Sequence, residues 1–136
     1  MSEQAVFDAL RYRIEDTEYG TRRYYNNAGH VHRENGPAIE WCNGNKSWMQ
    51  NGLLHRTDGP AIEYINGDKS WYQNDKLHRT DGPAIEYING DKFWYQNGLL
   101  HRTDGPAVVG SYGNMEWYIN GVEMTEAEFN QAVKLL

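Results

Sequence analysis

The chain has one cysteine and no long apolar run, and each scarcity excludes a class of protein. Cys42 is the only cysteine among 136 residues, so the chain cannot form an internal disulfide, as is typical of a reducing compartment. The longest apolar stretches are a few residues long, whereas crossing a bilayer takes roughly 20. The first ten residues lack the basic and apolar segments of a secretory signal. We therefore expect a soluble, cytoplasmic protein with no membrane partner.

Positive charge is also scarce. Lysine and arginine number 13 against 19 acidic residues, which gives a formal net charge of -6. Nucleic acid would have to approach against this field, so we do not expect it as a partner. The apolar fraction is rich in aromatic residues, with 10 Tyr, 5 Trp and 3 Phe, and these suit half-buried strands better than helical packing.

A 23-residue repeat dominates the sequence. Four similar segments begin at residues 31, 54, 77 and 100, and the last three read Leu-His-Arg-Thr-Asp-Gly-Pro-Ala. All four prolines fall in one phase of this repeat, as do four tryptophans and four glycines. These tryptophans are Trp48, Trp71, Trp94 and Trp117, and the glycines are Gly44, Gly67, Gly90 and Gly113. Trp41 alone among the tryptophans lies outside this phase. Self-similarity of this kind predicts a repeat architecture.

The period divides the chain into three parts. Residues 1–18 are predicted to be an N-terminal strand or cap segment, 19–121 the repeat array, and 122–136 a capping helix. The full units lie near 31–53, 54–76, 77–99 and 100–122. A half unit precedes them, with Tyr24 in the tryptophan position and one extra residue before His32.

Each unit has the pattern of β-hairpins. Pro60–Ile65 is extended in character and meets Asn66-Gly67, after which Asp68–Gln73 leads to a second turn at Asn74-Asp75. Asn-Gly favours a two-residue hairpin turn because both residues tolerate positive φ. The sequence therefore predicts an all-β fold, an elongated single sheet of stacked hairpins with two strands per unit. Equivalent residues of successive units then form ladders about 10 Å apart from rung to rung.

The C-terminus predicts one helix. Thr125 and Glu128 form a capping box, and apolar residues recur at helical spacing from Phe129 to Leu136. We predict a helix over roughly Glu126 to Leu136, placed to cover the last open strand edge.

The phrase Trp94-Tyr-x-Asn-Gly-x-x-His101-Arg-x-Asp-Gly-Pro-Ala107 resembles the MORN repeat family. The similarity is to the variant 23-residue repeats of bacterial and phage proteins described as antitoxin-like, and it covers about residues 19 to 121. It implies stacked hairpins in a curved sheet with a groove, and a scaffolding role without catalytic residues. The sequence departs from the family at Arg-x-Asp-Gly-Pro, where the commoner form has His-Gly-x-Gly, so lipid binding is not carried over.

The recurring His-Arg-x-Asp could suggest a catalytic or metal site. Catalysis needs one site, whereas this group occurs in four units, and in the first unit Asn35 replaces the aspartate. Asparagine preserves a turn but cannot act as a general base. Histidines about 10 Å apart cannot share an ion that needs ligands near 2.1 Å. We predict no enzyme, no metal and no cofactor.

The candidate partner-binding residues are a row of arginines, a row of tyrosines and one tryptophan. They are Arg33, Arg56, Arg79, Arg102, Tyr72, Tyr95, Tyr118 and Trp41. Regularly spaced guanidinium groups suit phosphates or the acidic groups of a partner protein. Alternatively, each arginine packs over a neighbouring tryptophan or pairs with the aspartate two residues on. The in-phase tryptophans are assigned to the core, with the tyrosines on the opposite face.

Two functions remain open at this point. The first is a scaffold, of phage or bacterial origin, that inhibits or organises a protein partner through its aromatic and charged face. The second is a sponge for a nucleotide second messenger used in antiviral defence, held between the arginine and aromatic rows or at a homodimer seam. A phage-encoded protein would work in the host cytoplasm. An acidic decoy for DNA-binding proteins fits less well, because the carboxylates form no dense runs.

Overall fold

A computed structural model describes residues 2–136 as two parallel rows of short β-hairpins with a helix at each end. The main sheet has eleven antiparallel strands, numbered in chain order. From edge to edge they are β1 (Arg13–Asp16), β2 (Arg22–Tyr25), β3 (Ile39–Glu40), β4 (Lys46–Ser47), β7 (Ile62–Glu63), β8 (Lys69–Ser70), β11 (Ile85–Glu86), β12 (Lys92–Phe93), β15 (Val108–Val109), β16 (Met115–Ile119) and β17 (Val122–Met124). The second row contains three two-stranded hairpins. They are β5 (Met49–Gln50) with β6 (Leu53–Leu54), β9 (Tyr72–Gln73) with β10 (Lys76–Leu77), and β13 (Tyr95–Gln96) with β14 (Leu99–Leu100).

The predicted all-β hairpin array with a C-terminal helix is confirmed. A unit contributes one hairpin to the main sheet and a second hairpin to the other row, where we had expected one sheet. The rows separate at the tryptophan, because the Trp71 N–H donates to the carbonyl of Ala84 in the next unit at 2.7 Å. The Trp71 carbonyl in turn accepts the N–H of His78 at 3.0 Å. These bonds turn the chain out of β8 and into β9.

The two turns of a unit differ in backbone conformation. At the second turn both central residues have positive φ, 49° at Asn74 and 66° at Asp75, as predicted for a two-residue hairpin. At the first turn the Tyr64 N–H bonds the Asp68 carbonyl at 3.0 Å, so the loop has three residues. Only Gly67 is left-handed there, with φ 98°, and our prediction of a two-residue Asn-Gly turn was wrong at this position.

Neighbouring units are joined by polar contacts as well as by strand pairing. Within a unit, the His78 imidazole accepts the N–H of Asn97 at its Nδ1, at 3.0 Å, and the other three in-phase histidines make the same bond inside their own units. A different side chain reaches the next unit. The Asp68 carboxylate accepts the N–H of Ile88 at 2.9 Å. The side chain of Ile88 also lies over Gly67, where a Cβ would meet its Cγ2 at 2.8 Å. Units are thus held in register by side chains that bond the backbone of the next unit.

The core is thin. The alanine of every unit is completely buried, at Ala38, Ala61, Ala84 and Ala107. The total accessible surface is 8343 Å², against about 7,300 Å² expected for a compact monomer of this mass. This excess agrees with an elongated array in which most side chains remain partly exposed.

The N-terminus contains a helix that we did not predict. Helix α1 spans Glu3–Arg11, and its first turn is capped by Ser2, whose Oγ accepts the Ala5 N–H at 3.1 Å. Strand β1 follows this helix and pairs with β2, so residues 13–16 form an edge strand of the main sheet.

The C-terminal helix α2 spans Glu126–Val133 and packs on β16 and β17. Its predicted capping box is confirmed, since the Thr125 and Glu128 side chains each accept the other's backbone N–H. Phe129 is buried, whereas Leu136 lies beyond the helix and is exposed. Neither helix in residues 2–136 is long and apolar enough to span a membrane.

Gly67→Ala tests how much the contact between units stabilises the fold. Gly113 occupies the same turn of the last unit with φ 89°, but nothing lies within 4 Å of a Cβ placed there. Both alanine variants strain the backbone, and only Gly67→Ala must displace Ile88. We expect Gly67→Ala to lose about 1–3 kcal/mol more than Gly113→Ala in urea denaturation. Equal losses would show that the Ile88 contact contributes nothing.

Candidate functional site

Each candidate arginine lies flat on an aromatic ring of the preceding unit. The distance from guanidinium carbon to ring centroid is between 3.8 and 4.0 Å in every case. The pairs are Arg33 on Tyr24, Arg56 on Trp48, Arg79 on Trp71 and Arg102 on Trp94. Such close stacking is a cation–π contact. Tyr24 therefore takes the place of a tryptophan, as the sequence predicted.

The edge of the guanidinium is bonded within its own unit. In the third unit the Arg79 Nε donates to Asp81 at 2.8 Å, and its Nη1 donates to the Pro83 carbonyl and to Glu86, each at 3.0 Å. Gly82 allows this packing, because a Cβ there would lie 2.9 Å from the Arg79 Cζ. Arg79 thus packs on the tryptophan and pairs with the aspartate at the same time. These two contacts are the alternatives to partner binding that the sequence left open.

Arg33 shows how a missing partner is replaced. Asn35 makes no bond to it, and its Nε is buried without an acceptor in the described chain. Instead the Arg33 Nη2 donates to Asp8 of α1 at 2.7 Å, and both side chains are less than one-tenth exposed. Asp8 thus supplies the carboxylate that Asn35 does not, and its ion pair with Arg33 anchors helix α1 to the first unit.

The arginines also perturb the corner aspartates. The hydrogen bond from Arg79 Nε, and then its positive charge, hold the pKa of Asp81 below its ordinary value of 3.8. The same cause lowers the pKa of Asp58 beside Arg56 and that of Asp104 beside Arg102. Each of these carboxylates therefore stabilises a turn and forms an ion pair with an arginine.

The in-phase histidines are engaged in the same way. Because Nδ1 accepts a backbone N–H, the neutral ring that makes this bond carries its proton on Nε2. Within residues 2–136 no three His, Cys, Asp or Glu side chains cluster as a metal site would require. The histidine and the aspartate of the His-Arg-x-Asp group thus bond within their own unit, and the arginine stacks on the aromatic ring of the preceding unit.

The opposite face of the main sheet presents aromatic side chains to solvent. Glu63 and Ile62 point to opposite faces, and the arginines contact the face of Glu63. On the face of Ile62, Trp41 donates its indole N–H to Ser47 at 2.9 Å, and Tyr87 packs edge-on against Phe93 at 5.9 Å. Trp41, Tyr64 and Tyr87 are 39%, 39% and 42% exposed. We call this row the aromatic surface.

Trp41 is therefore in phase with the repeat, as the first member of a row spaced at 23 residues. Sequence reasoning missed Tyr64 and Tyr87, although the positions 41, 64 and 87 contained the signal. Aromatic residues of different types occupy the same place in successive units.

The candidate tyrosines Tyr72 and Tyr95 lie beside this surface. Burial raises the pKa of both phenols, and the neighbouring hydroxyl of Tyr87 raises it further. Tyr118 lies one unit further, where its hydroxyl is 3.4 Å from Glu116. The structure thus brings Trp41, Tyr72 and Tyr95 to one surface and leaves the arginines on the other.

Two kinds of depression line the array. A cavity of about 320 Å³ lies on the aromatic surface, between Trp41 and Tyr64 and above Ser47 and Ile62. Three polar clefts of about 450 to 490 Å³ lie between the corners of successive units, which read Arg-Glu-Asn-Gly in the first unit and Arg-Thr-Asp-Gly in the others. In the third unit Phe93 occupies the position that serine has in the first two units, so the aromatic surface is not uniform.

No protein-family model matches the sequence, and no curated protein matches it significantly. The geometry of its own side chains is therefore what bears on its function.

Replacing the corner aspartates should flatten the acid dependence of stability. Their pKa is lowered in the folded state, so they stabilise the fold above pH 3.8 and lose that effect as pH falls through the folded value. We expect the variant Asp58→Asn, Asp81→Asn, Asp104→Asn to be less stable than wild type at neutral pH. The gap should narrow between about pH 5 and about pH 2.

Urea denaturation midpoints across this range measure the gap. Asn35 shows that asparagine fits the corner, so the variant should still fold. A gap that stays constant or widens on acidification would contradict the role of these ion pairs.

Proposed function

We propose that the chain is a non-enzymatic repeat scaffold that binds a protein partner through the aromatic surface. The observation that carries this proposal is the row of Trp41, Tyr64 and Tyr87, each about two-fifths exposed in the array. Tryptophan and tyrosine dominate the binding energy of protein interfaces, because they bury a large area with few rotatable bonds. The cavity between the first two rings offers a socket for an apolar side chain of the partner.

The resemblance to MORN-like repeats supports the same proposal. In that family the repeats serve as scaffolds, and the variant repeats of bacteria and phages suggest an inhibitor or antitoxin-like protein. The hairpin array seen here has the architecture that the resemblance implies. A bacterial or phage-host protein is the partner we propose. A cytoplasmic location and a homodimer stay predictions.

The bonding of the polar residues supports a role without chemistry. The in-phase histidines accept backbone N–H groups, and the guanidinium groups are stacked and paired in the same way in successive units. Catalysis requires a group that can approach the substrate with a free reactive atom. The polar atoms of the recurring His-Arg-x-Asp are thus engaged in structural bonds within the array.

A nucleotide sponge is the second candidate, because the three polar clefts combine arginine with tryptophan. The last of them is lined by Arg79, Trp94 and Arg102 and measures about 490 Å³. We rank it second because the face of each guanidinium already covers a ring, and its Nε already donates to the aspartate of its own unit.

Removing two rings of the aromatic surface should abolish partner capture. The variant Tyr64→Ser, Tyr87→Ser should lose a protein that wild type enriches from bacterial lysate, because half-exposed rings supply most of the contact area. Quantitative mass spectrometry of the captured proteins measures this loss.

A matched control is available in Tyr19 and Tyr112, which are 80% and 99% exposed and lie away from this row. The variant Tyr19→Ser, Tyr112→Ser removes the same groups and should retain capture. Recovery of no protein above background, or equal capture by both variants, would refute the proposal.

A further inference from the structure

A row of alternating charges crosses the main sheet on the face of the arginines. Inside the row each acid is paired in register with a base on either side, so that Glu63 lies between Lys46 and Lys69. The row runs Asp16, Arg22, Glu40, Lys46, Glu63, Lys69, Glu86 and Lys92. Opposite charges facing each other across strands stabilise a sheet.

The alternation stops at the last hairpin. After Lys92 the next position in register is Val109, and the one after that is Met115. Val109 corresponds to Glu63 and Glu86 of the earlier units. Lys92 therefore has a carboxylate on one side and an apolar side chain on the other.

The same replacement leaves Arg102 short of a carboxylate. Arg56 pairs with two acids, Asp58 and Glu63, and Arg79 likewise pairs with two. Arg102 forms an ion pair with Asp104 alone among the acids of residues 2–136. Its side chain remains 21% exposed.

Arg33 provides an internal comparison. Its unit also lacks one acid, because Asn35 stands in the aspartate position, and Asp8 of α1 supplies the second carboxylate at 2.7 Å. Arg33, which lacks one acid of its own unit, therefore forms its second ion pair with a carboxylate from outside the unit. Arg102, by contrast, has no second carboxylate partner among residues 2–136.

We propose that Lys92, Arg102, Val109 and Met115 form a binding site for a carboxylate side chain of a protein partner. The two cations attract the carboxylate, and Arg102 offers the Nη1 edge that holds a glutamate in the other units. Val109 is partly exposed and Met115 is 52% exposed, so the site suits an acid that neighbours an apolar residue. This site lies on the face opposite the aromatic surface and does not depend on it.

Val109→Glu tests the proposal by filling the site from within the chain. The substitution restores the residue of the earlier units, so the fold should accept it, and its thermal melting temperature should rise. The probe is a fluorescein-labelled peptide in which Leu and Glu alternate, with a Leu and Gln peptide for comparison. Fluorescence anisotropy should show that wild type prefers the Glu peptide and that Val109→Glu weakens its binding by about fivefold or more.

Thr57→Glu is the matched control for charge. It adds one negative charge at a corner where the first unit already has Glu34, the clefts that Thr57 lines do not include Arg102, and it should leave peptide binding unchanged. Equal losses in both variants, equal binding of the two peptides, or no binding by wild type would overturn the proposal. Displacement of the Glu peptide by inorganic phosphate but not by acetate would also overturn it, because the site would then be one for phosphate. The variant Tyr64→Ser, Tyr87→Ser should bind the peptide normally, which separates this result from a failure of the aromatic surface.

Discussion

The structure depends on one arrangement, an arginine held between the aromatic ring of one unit and the Gly-Pro corner of the next. Arg79 lies 3.9 Å above the ring of Trp71, and its edge bonds Asp81, the Pro83 carbonyl and Glu86. Burying a cation is costly unless its donors are satisfied, and here two hairpins must be in register to satisfy them. A thin array without a large apolar core thereby obtains a specific contact at every junction.

This arrangement decides which face of the sheet remains free. Trp71 and Arg79 cover each other on one side, and Glu86 extends the contact across the same face. On the other side the small residues Ser47 and Ser70 lie between larger rings, so Trp41 and Tyr64 cannot bury each other. The aromatic surface thus lies on the face opposite the stacked arginines, with its rings about two-fifths exposed.

Much of the fold could be predicted from local patterns, and the rest could not because it depends on contacts between units. The period, the second turn at Asn74-Asp75 and the capping box at Thr125 are local features, and the structure confirms them. The two rows follow from a backbone bond between Trp71 and the next unit, which no turn propensity reveals. Helix α1 is secured by the ion pair of Asp8 with Arg33, and that pair joins residues 25 positions apart. For the candidate site, the sequence analysis named Trp41 and the row of Tyr72, Tyr95 and Tyr118, and it missed Tyr64 and Tyr87 although their spacing of 23 residues from Trp41 is visible in the sequence.

Departures from the repeat are informative here because the repeat defines what each position must supply. The second and third units differ at one position between residues 54–74 and 77–97, so their agreement shows duplication as readily as selection. Asn35 and Val109 each remove one carboxylate from an arginine, and the consequences differ. At Asn35 the chain supplies Asp8, and the cation becomes more buried than in any other unit. At Val109 no acid of residues 2–136 takes that role, and the position lies between Lys92 and Met115 in the register of the sheet. The missing carboxylate is replaced at Arg33 and is not replaced at Arg102, which lies beside exposed apolar groups. A cation that lacks one carboxylate partner beside exposed apolar groups is what a surface that binds a protein partner would present, as we propose for this end of the array.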